Sequence, residues 1–265
     1  MTTAAPPRPD APIDPRIRAR RVAVQRDEGR RRLRRLLVVV IVLGVVAGAW
    51  GITRTPALDV DHVRVTGAVR TGEQAVVDVS GIERGDVLLT APLGRAAHRI
   101  AVLPWVQTVQ VRRAWPGTVK VTVVERTPIA AVPTQDNRWV LVDARARQLA
   151  VAKDLDTSLV RIDADPIVAQ LGTDLEGRTS AALRVAASIP ATLRDRVIAL
   201  RPAAGGTVDG TVRLRDGREA SLRFGTPAQT AAKWLALLSV LDEADPARLA
   251  GIDVRVPAAP ALTRR

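Results

Sequence analysis

Two imidazoles, one closely spaced pair of carboxylates and a Gly-Gly step are the residues of this chain whose types could do chemistry. His62 and His98 are 36 positions apart and are the only histidines. Neither has a neighbouring His, so each reads as an ordinary strand or helix residue, not as a metal ligand or a triad member. With no cysteine in the chain, disulfides, thiolate metal sites and a Cys nucleophile are all excluded. Asp163 and Asp165, in Arg161-Ile-Asp-Ala-Asp165, could supply the paired carboxylates of a glycan hydrolase. Two acids that close on a loop more often solvate a turn. Gly205-Gly206 precedes a strand and lacks the Lys of a phosphate-binding loop, so it reads as a turn. The expectation is a non-enzymatic protein with no catalytic residue, no cofactor, no metal and no small-molecule substrate.

The elements around these residues say more. The net charge of +13 suggests nucleic acid until its distribution is considered. Residues 1–35 hold eleven Arg against Asp10, Asp14, Asp27 and Glu28, a net of +7. This segment is rich in Pro and Arg with little apolar periodicity, and is expected to be a disordered basic tail. Leu36 to Thr53, LLVVVIVLGVVAGAWGIT, then runs eighteen residues without a charge. As a helix it would reach about 27 Å, close to the bilayer's hydrocarbon thickness. A cleaved signal peptide would have a shorter apolar core nearer the N-terminus, and a core helix would show a polar face. The run is therefore expected to be a single transmembrane helix in contact with the lipid bilayer. The Arg30–Arg35 cluster places the N-terminus in the cytoplasm and residues from 54 onward outside. The basic charge is then explained by topology and anionic lipid, and no nucleic-acid partner is expected.

The exterior part divides at Thr127-Pro128. In residues 54–127, Leu58–Gly67 alternates as a strand with Val63 and Val65 inward. Thr71 and Gln74 have capping-box spacing for a short helix ended by Gly81. Leu93, Ala96, Ala97, Ile100 and Leu103 form a helical stripe that stops at Pro104. A hairpin follows through Trp115-Pro-Gly117, with Val119, Val121 and Val123 on its inner face and Trp115 packed at the turn. The order is strand, helix, helix, strand, strand.

These residues resemble the POTRA domain of the FtsQ/DivIB family of bacterial cell-division proteins. The resemblance lies in Gly81-Ile82, Leu103-Pro-Trp-Val106, Trp115-Pro-Gly117 and Val124-Glu-Arg-Thr-Pro128, in family order behind a single apolar run. It extends to about residue 260 and implies an α+β protein: a transmembrane helix, a POTRA domain, and a β-rich C-terminal domain at 128–256 with helices packed on a sheet. It also implies a scaffold of the divisome, in the cytoplasmic membrane at the division septum, linking early and late septation proteins. The rival reading is an exterior cell-wall enzyme or glycan-binding protein on the same anchor.

In the β-rich part, Arg138–Asp143 reads as a strand, and Asp216-Gly217 as a hairpin turn. Residues 179–189 read as one helix. A second should start at Thr226-Pro227, with an inner stripe of Ala228, Ala231, Leu235, Leu238 and Leu241 beside Trp234. The last strand is Gly-Ile-Asp-Val-Arg-Val256, with Ile252, Val254 and Val256 on one face and Asp253 and Arg255 on the other. Residues 257–265 read as a tail, leaving this strand as an open edge that invites strand addition. In the family, a C-terminal strand of this kind receives FtsB, which travels with FtsL. Ile252, Asp253, Val254, Arg255 and Val256 are therefore the expected partner-binding residues.

Overall fold

The computed structural model describes residues 34–48, 50–51 and 59–264, and the chain divides into two units at Asp59/Val60. In the first unit, residues 34–48 and 50–51 are helical. Leu36 to Leu43, Val45, Val46 and Trp50 are each at least 53% exposed, so the helix is apolar all round and buries none of these side chains in protein. Among the described residues no helix is long and apolar enough to cross a membrane. Residues 1–33 of the expected tail, and 49, 52 and 53 of the expected span, lie outside the described residues.

The second unit begins with a three-stranded sheet of order β1-β3-β2, built from β1 (His62–Thr66), β2 (Val106–Ala114) and β3 (Thr118–Glu125). β3 pairs parallel with β1 and antiparallel with β2. Two helices, α1 (Glu73–Ser80) and α2 (Leu93–Ala101), cover one face, so the expected strand-helix-helix-strand-strand order is the one observed. Period-2 valines and a period-3.6 stripe meet in one core: Val65, Val76, Ala96, Ile100, Val119, Val121 and Val123 are all buried. Gly81 ends α1 with φ 63°, the left-handed conformation that glycine adopts without strain. Thr71 does not cap α1. The cap position is Gly72, and the Thr71 hydroxyl donates to Glu125 at 2.7 Å instead. Trp115, expected to pack at the turn, is 55% exposed.

Ile100 has no exposed surface and sits among the three valines of β3. Ile100→Ala is expected to destabilise the exterior unit by about 2–5 kcal/mol in urea melts. Val124→Ala, on the outward face, should change it little. A loss at Ile100 below about 0.5 kcal/mol would mean that α2 does not seal this core.

At Pro128 the chain enters a nine-stranded sheet of order β12-β11-β10-β9-β8-β7-β4-β5-β6. Its strands are β4 (Pro128–Pro133), β5 (Trp139–Asp143), β6 (Gln148–Ala152), β7 (Val160–Ile162), β8 (Val197–Pro202), β9 (Val208–Arg213), β10 (Glu219–Gly225), β11 (Leu249–Asp253) and β12 (Ala261–Arg264). Three neighbouring pairs are parallel and need crossovers. β4 reaches β7 by way of β5 and β6, β7 reaches β8 through α3 (Thr179–Ala187), and β10 reaches β11 through α4 (Thr230–Glu243). This is why the two helices of the β-rich part lie where they do. Gly205 and Gly206, with φ 69° and 72°, form the turn between β8 and β9.

The inner face of α4 differs from the expected stripe. The helix starts at Thr230, after Gln229 in a left-handed conformation, so Pro227 is not its first residue. Lys233, Trp234, Leu237, Val240 and Leu241 are buried, whereas Leu235 is 65% exposed. Lys233 reaches inward because its Nζ donates to the Phe224 and Thr226 carbonyls at 2.9 and 2.8 Å and lies 5.0 Å from the Phe224 ring centroid. Burial lowers its pKa. Trp234 stacks obliquely on Phe224 at 4.6 Å between centroids and donates Nε1–H to Ser188 at 2.9 Å.

Candidate functional site

The residues with chemical potential do not converge. His62 and His98 are exposed and lie on separate elements. Asp163 and Asp165 line one open surface cavity with Arg178 and Arg201, but Asp163 is engaged by Arg161 at 2.6 Å and lies 3.6 Å from Arg201, while Asp165 is exposed. Among the described residues no group of three His, Cys, Asp or Glu could hold a metal ion.

The site that the fold does assemble is the end of the large sheet. β11 pairs parallel with β10 and antiparallel with β12, so it has a strand on each side and is not the open edge expected of it. Residues 257–265 are likewise not a plain tail. The chain turns after Val256, whose carbonyl accepts from Ala259 N–H at 3.1 Å, and returns as β12, Ala261–Arg264. Leu262 lies opposite Ile252, and Ala261 opposite Asp253. The Val254 N–H donates to the Arg223 carbonyl at 3.0 Å and is committed to the sheet. Strand β11 ends at Asp253, so Val256 does not share the inner face of Ile252 and Val254. Those two are buried, whereas Val256 is 61% exposed on the turn.

Asp253 and Arg255 do point outward together, as expected from their alternation. Arg255 binds Asp253 through Nε at 3.0 and 2.9 Å and through a terminal nitrogen at 2.7 Å. The Arg255 hydrogen bonds outweigh burial and hold the Asp253 carboxyl below the usual carboxylate range, while the Arg255 pKa is raised in return. The arginine stem lies over Gly225, where φ is 74° and an added Cβ would come 2.9 Å from Arg255 Cγ. The pair stiffens the corner from which the chain departs for β12.

The outer edge of β12 is an end of the sheet, and all four of its residues are exposed. These residues, Ala261, Leu262, Thr263 and Arg264, are the ones sequence reasoning missed. A four-residue segment after Pro257 and Pro260 is too short for its alternation to register. The available signal was a β-branched Thr next to Leu beyond a proline turn.

A second assembly lies where the three-stranded sheet hands over to the nine-stranded one. Glu125, the last residue of β3, accepts from the Arg70 N–H at 2.9 Å and from the N–H and hydroxyl of Thr71 at 2.7 Å each. Burial by itself would raise the Glu125 carboxyl, but these bonds and the Arg70 charge outweigh it and hold the pKa below its ordinary value of 4.5. A depressed carboxyl stabilises the fold above the unfolded pKa, and that contribution disappears as pH falls through the folded pKa. In thermal melts the parent chain should therefore lose a Glu125-dependent increment below about pH 4.5. Glu125→Gln should be less stable at neutral pH and flatter across that acid window. Equal acid slopes in the two proteins would mean that Glu125 is not coupled to folding. The next residue, Arg126, reaches across to Asp143 on β5 at 2.7 Å.

Comparison with known proteins fits this architecture. Residues 58–126 match the family model of the POTRA domain, FtsQ-type. The cell division protein FtsQ of Corynebacterium glutamicum is 37% identical over 116 residues, covering 44% of this chain and 50% of that protein. The FtsQ of Mycobacteroides abscessus is 31% identical over 202 residues, covering 76% of this chain and 62% of its own length. The FtsQ of Streptomyces collinus is 28% identical over 244 residues, covering 88% and 89%. The chain thus spans about half the length of its Corynebacterium relative and most of the Streptomyces one. The last of these alignments extends well beyond the POTRA segment into the nine-stranded sheet, so the chain carries an FtsQ-type POTRA domain and is similar to an FtsQ protein over most of its length.

Proposed function

We propose that this protein is a non-enzymatic, single-pass membrane scaffold of the bacterial division machinery, which captures a partner by strand addition at the end of its large sheet. The observation that carries the reading is the outer edge of β12, exposed along its whole length in a chain similar to FtsQ proteins. A strand edge offers N–H and C=O groups in register and needs no catalytic residue to hold another chain. The expected partner is a division protein of the FtsB type together with its FtsL-type companion. The binding surface runs along β12 and round the corner behind it. Ile252 and Val254 support that corner from the core, Asp253 and Arg255 brace it, and Val256 is presented on the turn.

In this proposal Leu36 to Thr53 crosses the cytoplasmic membrane, with the N-terminus in the cytoplasm, the domains from residue 54 outside, and the protein concentrated at the septum. Its support is the helix with apolar side chains exposed on all sides, preceded by the arginine cluster. Capture of an FtsB-type protein by the full chain tests the scaffold reading, and its failure with folded protein would remove it. A reporter fused after Arg265 should be active only outside the cytoplasm, and cytoplasmic activity would overturn the topology.

A further inference from the structure

The face of the three-stranded sheet opposite α1 and α2 has a composition that its fold does not require. Outward positions are the even-numbered residues of β1 and β3, and those of β2 from Thr108 onward. None of them is Asp or Glu. Pairing places Arg64 beside Lys120 and Lys120 beside Arg112, three cations in one row across all three strands, each exposed. The next row is Thr66, Thr122 and Gln110, three hydrogen-bonding side chains.

Like charges directly opposite one another on neighbouring strands destabilise a sheet. Among the described residues none of the three cations has an ion-pair partner, although nine ion pairs are formed elsewhere. The row therefore works against folding, and an external anion would relieve it. The surface is a sheet face with a single large exposed apolar side chain, Val124. An acidic peptide segment would need a strand edge or an apolar anchor to set its register, whereas a planar array of phosphates needs neither. β1, which carries Arg64, is the first strand after the apolar helix, with ten residues of sequence, 52–61, between Gly51 and His62.

We propose that this outward face, centred on the Arg64–Lys120–Arg112 row, is a contact surface for the anionic phospholipid headgroups of a membrane. The argument from proximity rests on the reading that Leu36–Thr53 crosses the bilayer, while the charge row stands by itself. Contact of this kind would orient the POTRA domain against the membrane and so direct where the large sheet presents β12.

The chain has no cysteine, so Gln110→Cys, on the row beside the cations, supplies a unique thiol for a fluorescent donor. The labelled full chain is reconstituted into vesicles of phosphatidylcholine alone or mixed with phosphatidylglycerol, each carrying an acceptor on its headgroups. Energy transfer should be higher in the anionic vesicles and fall at molar salt, where the Debye length is about 3 Å. In a variant carrying Arg64→Gln, Arg112→Gln and Lys120→Gln it should drop to the level of neutral vesicles. That variant should melt no lower than the parent, because a repulsive row has been removed. The arginine-rich tail also attracts anionic lipid, but the label reports on the sheet face. Co-flotation with neutral vesicles reads the anchor separately, so failure of the anchor and failure of the face give different results. Equal transfer in both lipids, or no effect of the triple variant, overturns the proposal. Polyglutamate binding that depends on the three cations, without a lipid response, would assign the face to an acidic protein and overturn it equally.

Discussion

Proline at whichever of Leu262 and Thr263 directs its N–H away from β11 should weaken capture of the proposed FtsB-type partner by about thirtyfold or more. In an antiparallel pair successive residues turn their N–H groups to opposite sides, so one of the two donates to β11 and the other faces the free edge. Strand addition takes its affinity from main-chain hydrogen bonds, and proline removes a donor while its ring crowds the incoming strand. Losing one such bond in a desolvated interface is worth about 2 kcal/mol or more, roughly a thirtyfold weaker complex. Side-chain truncations should do less. Arg255 is an exposed brace whose charge is already engaged by Asp253, so Arg255→Ala should weaken capture only modestly. The proline that faces inward breaks pairing with β11 and is separated from the other by its melting curve. Proline at Val254 has no such use, because that N–H already holds Arg223. If both β12 prolines leave a folded chain that binds the partner at parental affinity, the interface is not this edge, and the POTRA surface becomes the place to look.

Arg126→Ala should destabilise the exterior unit by about 3–5 kcal/mol and separate the melting of its two sheets. The guanidinium is 12% exposed and the facing Asp143 carboxylate 8%, with 2.7 Å between them. Arg126 also donates Nε–H to the Val106 carbonyl at 3.0 Å, and its backbone N–H donates to the Trp105 carbonyl at 2.8 Å. It therefore ties β2 of the small sheet to β5 of the large one. Removing it leaves Asp143 as a nearly buried anion, held only by the N–H groups of Arg145 and Arg147 at 2.8 and 2.9 Å. An unpaired buried charge is the costly half of a broken salt bridge. Arg126→Lys should recover only part of the loss, since an ammonium lacks the planar fork that serves the carboxylate and the carbonyl together. Amide-proton exchange followed along the urea titration at β3 and at β5 would read the two sheets separately. A loss below about 0.5 kcal/mol, with both probes still moving together, would show that solvent screens the pair and that the sheets are coupled by other contacts.

The small domain could be read from its sequence because its code is local. Val119, Val121 and Val123 alternate with polar residues, and Ala96 and Ile100 fall on one helical face, so every residue of the pattern lies within a turn or two of the next. The change of sheet at Thr127-Pro128 and the turns at Gly81, Gly205-Gly206 and Gly217 are local in the same sense, since each depends on the conformation of one or two residues. What the tertiary structure decided depends on partners far away in the chain. Thr71 could have capped its helix, and it binds Glu125 because a strand 54 positions later ends beside it. Lys233 belongs to the polar face of α4 by type, and is buried because the β10 turn offers two carbonyls to its ammonium. The open edge belongs to β12 and not to β11, because exposure of a strand's hydrogen-bonding groups is a property of its neighbours, and the neighbour here is made from residues after two prolines. The row of Arg64, Lys120 and Arg112 exists only once β3 has paired with both β1 and β2, bringing together cations that the sequence holds up to 56 positions apart.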